Sequence, residues 1–134
     1  MDLALLIFVV ALAALVAWIL FPRAPHRSLE SAKLALRAGT AVLVDVREPA
    51  EWVDGVADGA ALLPYSDLKG ERLRWRPFLD RNRDRRLLLY CGSGVRSARA
   101  AQRLQAEGID ALDAGTLREW RRAGWGVVAP RDLT

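Results

Sequence analysis

Leu87-Leu88-Leu89-Tyr90-Cys91-Gly92-Ser93-Gly94-Val95-Arg96-Ser97 is the stretch from which the rest of the chain can be read. The apolar run up to Tyr90 has the pattern of a strand buried on both faces of a parallel sheet. Cys91, the only cysteine in the 134 residues, follows it at once. Gly92 and Gly94 permit a tight turn, because glycine enters positive φ without steric cost. Ser97 suits a helix N-cap, and Ala98 to Glu107 is a run of good helix formers. A thiol is therefore expected at the C-terminal end of a strand, with a helix N-terminus aimed at it. Free amides and the helix dipole favour an anion there and lower the pKa of a thiol, and Arg96 adds a positive charge. Open α/β sheets bind their ligands at this end. A lone cysteine is also often only a small buried hydrophobe, and both readings stand on these residues alone.

Outward from that stretch, strands and helices alternate. Upstream, Ser28 or Ser31 can cap a helix running to about Ala38, with Gly39 as its stop. Ala41 to Val46 reads as a buried strand leading into Asp45-Val46-Arg47. Pro49 suits the first turn of a short helix carrying Glu51 and Trp52. Gly55 and Gly59 bracket a turn, Ala60 to Leu63 is a short strand, and Leu68 to Asn82 holds a helix with Trp75, Phe78 and Leu79 on its core side. Downstream, Ile109 to Leu112 is a further strand, and Leu117 to about Ala123 a further helix, with Trp120 and Trp125 packed inside. This alternation predicts an α/β fold with a parallel sheet flanked by helices.

Leu3 to Phe21 is an apolar run of about 19 residues, long enough to be expected as one transmembrane helix. A cleaved signal peptide is the competing reading, but the start carries Asp2 with no Lys or Arg, and the run exceeds a usual signal core. Arg23, His26, Arg27 and Lys33 lie downstream, so the positive-inside rule expects a single-pass membrane protein with its domain in the cytoplasm. The expected organisation is an anchor over 1–22, a linker over 23–28 and a domain over 29–130.

The net charge of +4 is carried almost wholly by arginine, with Lys33 and Lys69 the only lysines. Basic residues are interspersed with acidic ones, so no nucleic-acid stripe forms and no nucleic-acid partner is expected. One cysteine excludes an internal disulfide. No Cys/His cluster suggests a metal, and no cofactor is expected. His26, the only histidine, lies in the linker, far in sequence from Cys91.

From Val42 to Val128 the chain resembles a single rhodanese domain. Asp45-Val46-Arg47-Glu48-Pro49 with Glu51 is similar to the family's first motif, and Gly55, Gly59 and Ala60 to its glycine-flanked segment. Cys91 to Ser97 resembles the active-site loop, and Ala114-Gly115 with Trp120, Ala123 and Gly124 the closing segment. The resemblance implies a sulfurtransferase or persulfide carrier. Cys91 would take the outer sulfur of a sulfane-sulfur donor and pass it to a thiol or a protein cysteine. Gly92, Ser93, Gly94, Val95 and Arg96 would bind the substrate, with Arg96 orienting the loop and meeting anionic donor groups. Asp45, Arg47 and Ser97 would give structural support. Two departures stand out. Gly92 replaces the Arg or Lys that many members carry after the cysteine, which argues against thiosulfate as the preferred donor. Val56 replaces a common His, a packing variation.

Three other functions compete. A cysteine phosphatase of related fold would space its Cys and Arg by five residues, where Cys91 and Arg96 are spaced by four. A non-catalytic module that recruits a partner to the membrane is the second. A redox sensor is the third, and it would need a resolving thiol from outside the chain.

Overall fold

Leu87, Leu89 and Cys91 point to one face of their strand, and Leu88 and Tyr90 to the other. This is the period-two alternation of any strand, here with both faces covered by helices. The computed structural model describes residues 2–20 and 29–131. Its main sheet has four parallel strands in the order β3 (Ala61–Leu62), β1 (Ala41–Asp45), β4 (Arg86–Cys91), β5 (Ala111–Thr116). The cysteine strand is thus central, between β1 and β5.

On the Cys91 face lie α4 (Tyr65–Lys69), α5 (Trp75–Arg81) and α6 (Val95–Ala106), which bury Trp75, Phe78, Ala100 and Leu104 against Val44, Leu87 and Leu89. On the opposite face lie α2 (Leu29–Arg37) and α7 (Leu117–Arg122), which bury Ala32 and Trp120 against Leu43, Leu88 and Tyr90. Trp125 is half-buried and meets Trp120 edge to face. The short α3 (Pro49–Trp52) follows β1, and Trp52 is fully buried.

Several expected boundaries move. The helix expected within Leu68–Asn82 is α5, and a further short helix, α4, precedes it. The chain turns between them through Arg72 at φ 58°, and the Asp67 carboxylate accepts the amides of Leu73, Arg74 and Trp75. The strand expected over Ile109–Leu112 begins at Ala111 and runs on to Thr116. Near its end, Leu89 pairs with Asp113 and Cys91 with Thr116, so three steps of β5 stand against two of β4. A second sheet of two antiparallel strands, β2 (Val56–Ala57) and β6 (Val127–Val128), has no counterpart in the sequence reading, because two-residue strands carry no periodic signal.

The apolar run forms α1 (Leu3–Leu20), 18 residues long, with its described side chains exposed around the whole helix. Among the described residues, no helix is long and apolar enough to cross a membrane. At 1.5 Å per residue α1 rises about 27 Å, short of a hydrocarbon core of about 30 Å. The expected transmembrane helix over Leu3–Phe21 is corrected accordingly: the described helix over Leu3–Leu20 does not suffice to span. Phe21, Pro22, the linker over 23–28 and the Ser28 cap lie outside the described residues.

Candidate active site

The end of β4 sets the sulfur at the base of a tight loop. Gly94 takes φ 87° and is the N-cap of α6, whose first turn is Val95, Arg96 and Ser97. A non-glycine residue would be strained at that φ, so the loop depends on Gly94 for its turn. Ser97 is therefore not the cap that its type suggests. It lies three residues further in, fully buried, and its Oγ is 3.4 Å from Cys91 Sγ. Ser97 Oγ also reaches the carbonyls of Gly94 at 3.2 Å and Gly115 at 3.4 Å, which ties the loop to the irregular end of β5.

Cys91 is fully buried, while Gly92, Ser93 and Val95 above it are exposed. The amide of Gly94 donates to Sγ at 2.9 Å. Burial pushes the thiol up, but hydrogen bonds from the Ser97 hydroxyl and from the amides of Ser97, Gly94 and Ser93 outweigh it and hold the thiol below its ordinary value. The arrangement can stabilise a thiolate, or a larger anion grown on that sulfur.

Arg96 does not present a free charge. Its Nη1 donates to Glu51 Oε2 at 2.6 Å and its Nη2 to Glu51 Oε1 at 2.8 Å, a two-bond fork across the rim of the loop. Those bonds from Arg96 hold the Glu51 carboxyl down at about 2. Glu51 Oε2 also accepts the Glu48 amide at 2.9 Å, so the carboxylate is fixed from both sides. Sequence reasoning places Glu51 in a motif without giving it a part in the site. The Glu48-Pro49-Ala50-Glu51 spacing, a carboxylate three residues after a helix-start position, is the signal that could have found it.

Asp45 and Arg47 lie beneath this rim, on the sheet face away from the thiol. The Asp45 carboxylate accepts from Arg47 Nε at 3.1 Å and Nη2 at 2.9 Å, and from the Tyr90 hydroxyl at 2.6 Å. Arg47 Nη1 donates to the Glu51 carbonyl at 3.1 Å and Nη2 to the Gly55 carbonyl at 2.8 Å. The pair thus positions the segment that carries Glu51. Gly92 is not in the left-handed region, and a Cβ there would be 3.6 Å from Arg96 Nη2, an ordinary contact. Its small size leaves the rim uncharged rather than relieving strain. A cavity of about 700 Å³ lies elsewhere, between β3 and α5, and none of its lining residues belongs to the Cys91 loop. The chemistry is placed by the loop and not by that cavity.

Residues 28–123 match the family model for the rhodanese-like domain. The chain belongs to the rhodanese-like family. It is 35% identical over 91 residues to a sulfurtransferase of Allochromatium vinosum, covering 66% of this chain and 79% of that protein. It is 43% identical over 74 residues to the YqhL protein of Bacillus subtilis, covering 54% of each, so it spans about half the length of that relative. Among solved structures, the human single-domain sulfurtransferase TSTD1 superposes with a TM-score of 0.61 at 32% identity, covering 75% of this chain and 97% of that one. The α/β rhodanese-like fold is thus established for this chain, and proteins named as sulfurtransferases are among its relatives.

Within this rhodanese-like loop, the Ser97 hydroxyl hydrogen-bonds the sulfur at 3.4 Å. Ser97→Ala should raise the thiol pKa, so alkylation by iodoacetamide should need a higher pH to reach half its maximal rate. Below the midpoint the rate should fall roughly tenfold, the effect of losing one hydrogen bond to a charged group. A midpoint that stays put or moves down would show that the hydroxyl does not hold the thiolate.

Proposed function

We propose that this chain moves sulfane sulfur through a persulfide on Cys91. The observation that carries the reading is the sulfur's setting: a buried thiol held low by the Gly94 amide and the Ser97 hydroxyl. The Cys91 thiolate attacks the outer sulfur of a donor. A new S–S bond forms as the donor's bond to that sulfur breaks, and the donor remnant leaves with the electron pair. An acceptor thiolate then attacks the outer sulfur of the Cys91 persulfide, and Cys91 leaves as the thiolate. Nothing is consumed but donor and acceptor, so no cofactor is called for. The amides of Ser93, Gly94 and Ser97, which act on the thiol, would also favour the negative charge of a second sulfur grown on it. Gly92 and Ser93, both exposed, form the side by which a donor enters.

A loop of four residues between Cys91 and Arg96 supports this reading over phosphate transfer, because reacting groups must be held at the right distance and this ring is small. The test is the kinetic pattern. Varying donor against acceptor should give parallel double-reciprocal lines, the mark of a covalent intermediate. Intersecting lines would favour direct transfer between two bound substrates.

We also propose that α1 attaches the domain to a membrane, with the domain on the cytoplasmic side. Its described side chains, apolar and exposed around the helix, support this, because such a surface can bury itself in a bilayer without crossing it. The positive residues downstream of it support the orientation. The full chain should stay with membranes through carbonate extraction, and a chain starting at Leu29 should not. Full release of the intact chain by carbonate would overturn the attachment.

A further inference from the structure

We propose that Glu51 selects the class of sulfur donor: by pairing with Arg96 it removes the free cation that a dianionic donor needs, so the loop takes sulfur from thiol persulfides rather than from thiosulfate. This rests on the Cys91 persulfide reading above and names its substrate class.

The charges at the rim carry the argument. Arg96 is the cation beside the loop, and both its terminal nitrogens are bonded to the Glu51 carboxylate at 2.6 and 2.8 Å. The Glu48 carboxylate acts on the same guanidinium and is itself held by the amide and hydroxyl of Ser66, at 3.0 and 2.7 Å. Arg47 is bound to buried Asp45 on the other face of the sheet. Gly92 contributes no charge. One cation thus faces two carboxylates at the entrance. A dianion entering there would have to compete with Glu51 for Arg96, and it would approach a rim of negative net charge. A thiol persulfide, R–S–SH, makes no such demand. The Cys91 thiolate attacks its outer sulfur, the Cys91–S–SH bond forms, and R–S⁻ leaves with the electrons of the broken S–S bond. With thiosulfate the same attack would expel sulfite, which leaves with both negative charges and needs a cation beside it.

The fork also explains why Glu51 is built so firmly into the fold. Its carbonyl accepts from Arg47 and its carboxylate from the Glu48 amide, so the group is preorganised against Arg96 rather than meeting it by chance.

The experiment compares kcat/KM for thiosulfate and for a small alkyl persulfide in the full-length wild type, Glu51→Gln and Glu51→Asp. In Glu51→Gln the ratio of thiosulfate to persulfide use should rise about tenfold, the size of one charge-assisted contact regained. Its thiosulfate rate should also become sensitive to ionic strength, because a freed cation is screened by salt. Glu51→Asp keeps a negative charge beside Arg96 and should stay within about threefold of the wild-type ratio. Unchanged ratios in both variants, or equal shifts in both, would overturn the role of the charge. Both variants are assayed below their melting transitions, measured in parallel, so that an unchanged ratio reads the role of the charge and not a loss of fold. Persulfide loading of Cys91, read by intact mass in the same samples, separates this from the wider reading. If no donor loads Cys91, sulfur transfer itself fails. If donors load it and the ratio does not move, only the selection by Glu51 fails.

Discussion

Cys91→Ser should abolish sulfur transfer and leave the fold in place. The substitution exchanges one atom at a position that is fully buried between Leu89 and the start of α6. A serine hydroxyl in that loop still meets the Gly94 amide, but it does not ionise near neutral pH, and oxygen forms no persulfide. Turnover should drop by at least about a thousandfold, the scale on which removal of a covalent nucleophile is felt. The melting temperature should move by no more than about 5 °C, since the change costs about one hydrogen-bond energy at most. Retention of transfer by the serine variant would place the chemistry elsewhere. A collapse of the melt would make Cys91 a packing residue first, the role a lone buried cysteine often has.

The second large effect is on stability. Asp45→Ala should destabilise the domain by about 3–5 kcal/mol, because it leaves a buried guanidinium without its counter-charge. In the folded chain Asp45 is fully buried and takes four separate donors: the Arg47 amide, Nε and Nη2, and the Tyr90 hydroxyl. Burial and the nearby Asp45 charge both raise the Tyr90 phenol, so it stays protonated and keeps donating. For a domain of this size the loss corresponds to a fall in melting temperature of more than about 10 °C. Asp45→Asn, which keeps an acceptor but not the charge, should lie between the wild type and alanine. A loss under about 1 kcal/mol for Asp45→Ala would show that Arg47 finds another partner. The substitution also reaches the candidate site, because Arg47 holds the Glu51 carbonyl at 3.1 Å and Glu51 holds Arg96.

Much of the fold and part of the site are legible in the amino-acid sequence, for reasons that differ from residue to residue. The Leu87 to Tyr90 run is long enough and apolar enough to declare a central strand, and the alternation of its neighbours declares the parallel sheet. Cys91, Gly94 and the helix after them follow from residue type and order. Residue type misleads where tertiary context decides. Ser97 has a good capping side chain, but Gly94 supplies the positive φ that starts α6, so the hydroxyl turns inward to the sulfur instead. Arg96 looks like a free cation in sequence. Its partner is 45 positions earlier, and only the packing of α3 against the loop brings Glu51 to it. The β2–β6 pair is invisible because each strand has two residues and pairs across most of the domain. The apolar N-terminal run declares a helix, and α1 over Leu3–Leu20 bears that out, but an apolar run does not by itself make a helix able to cross a membrane.

The central claim is that Cys91 carries sulfane sulfur, and intact mass spectrometry tests it most directly. Purified protein is incubated with an alkyl persulfide, measured, treated with a reductant and measured again, with Cys91→Ser alongside. A gain of one sulfur atom on the wild type, mapped to the peptide holding Cys91 and removed by the reductant, is the predicted result. No gain, a gain that the reductant leaves in place, or an equal gain on Cys91→Ser would contradict it.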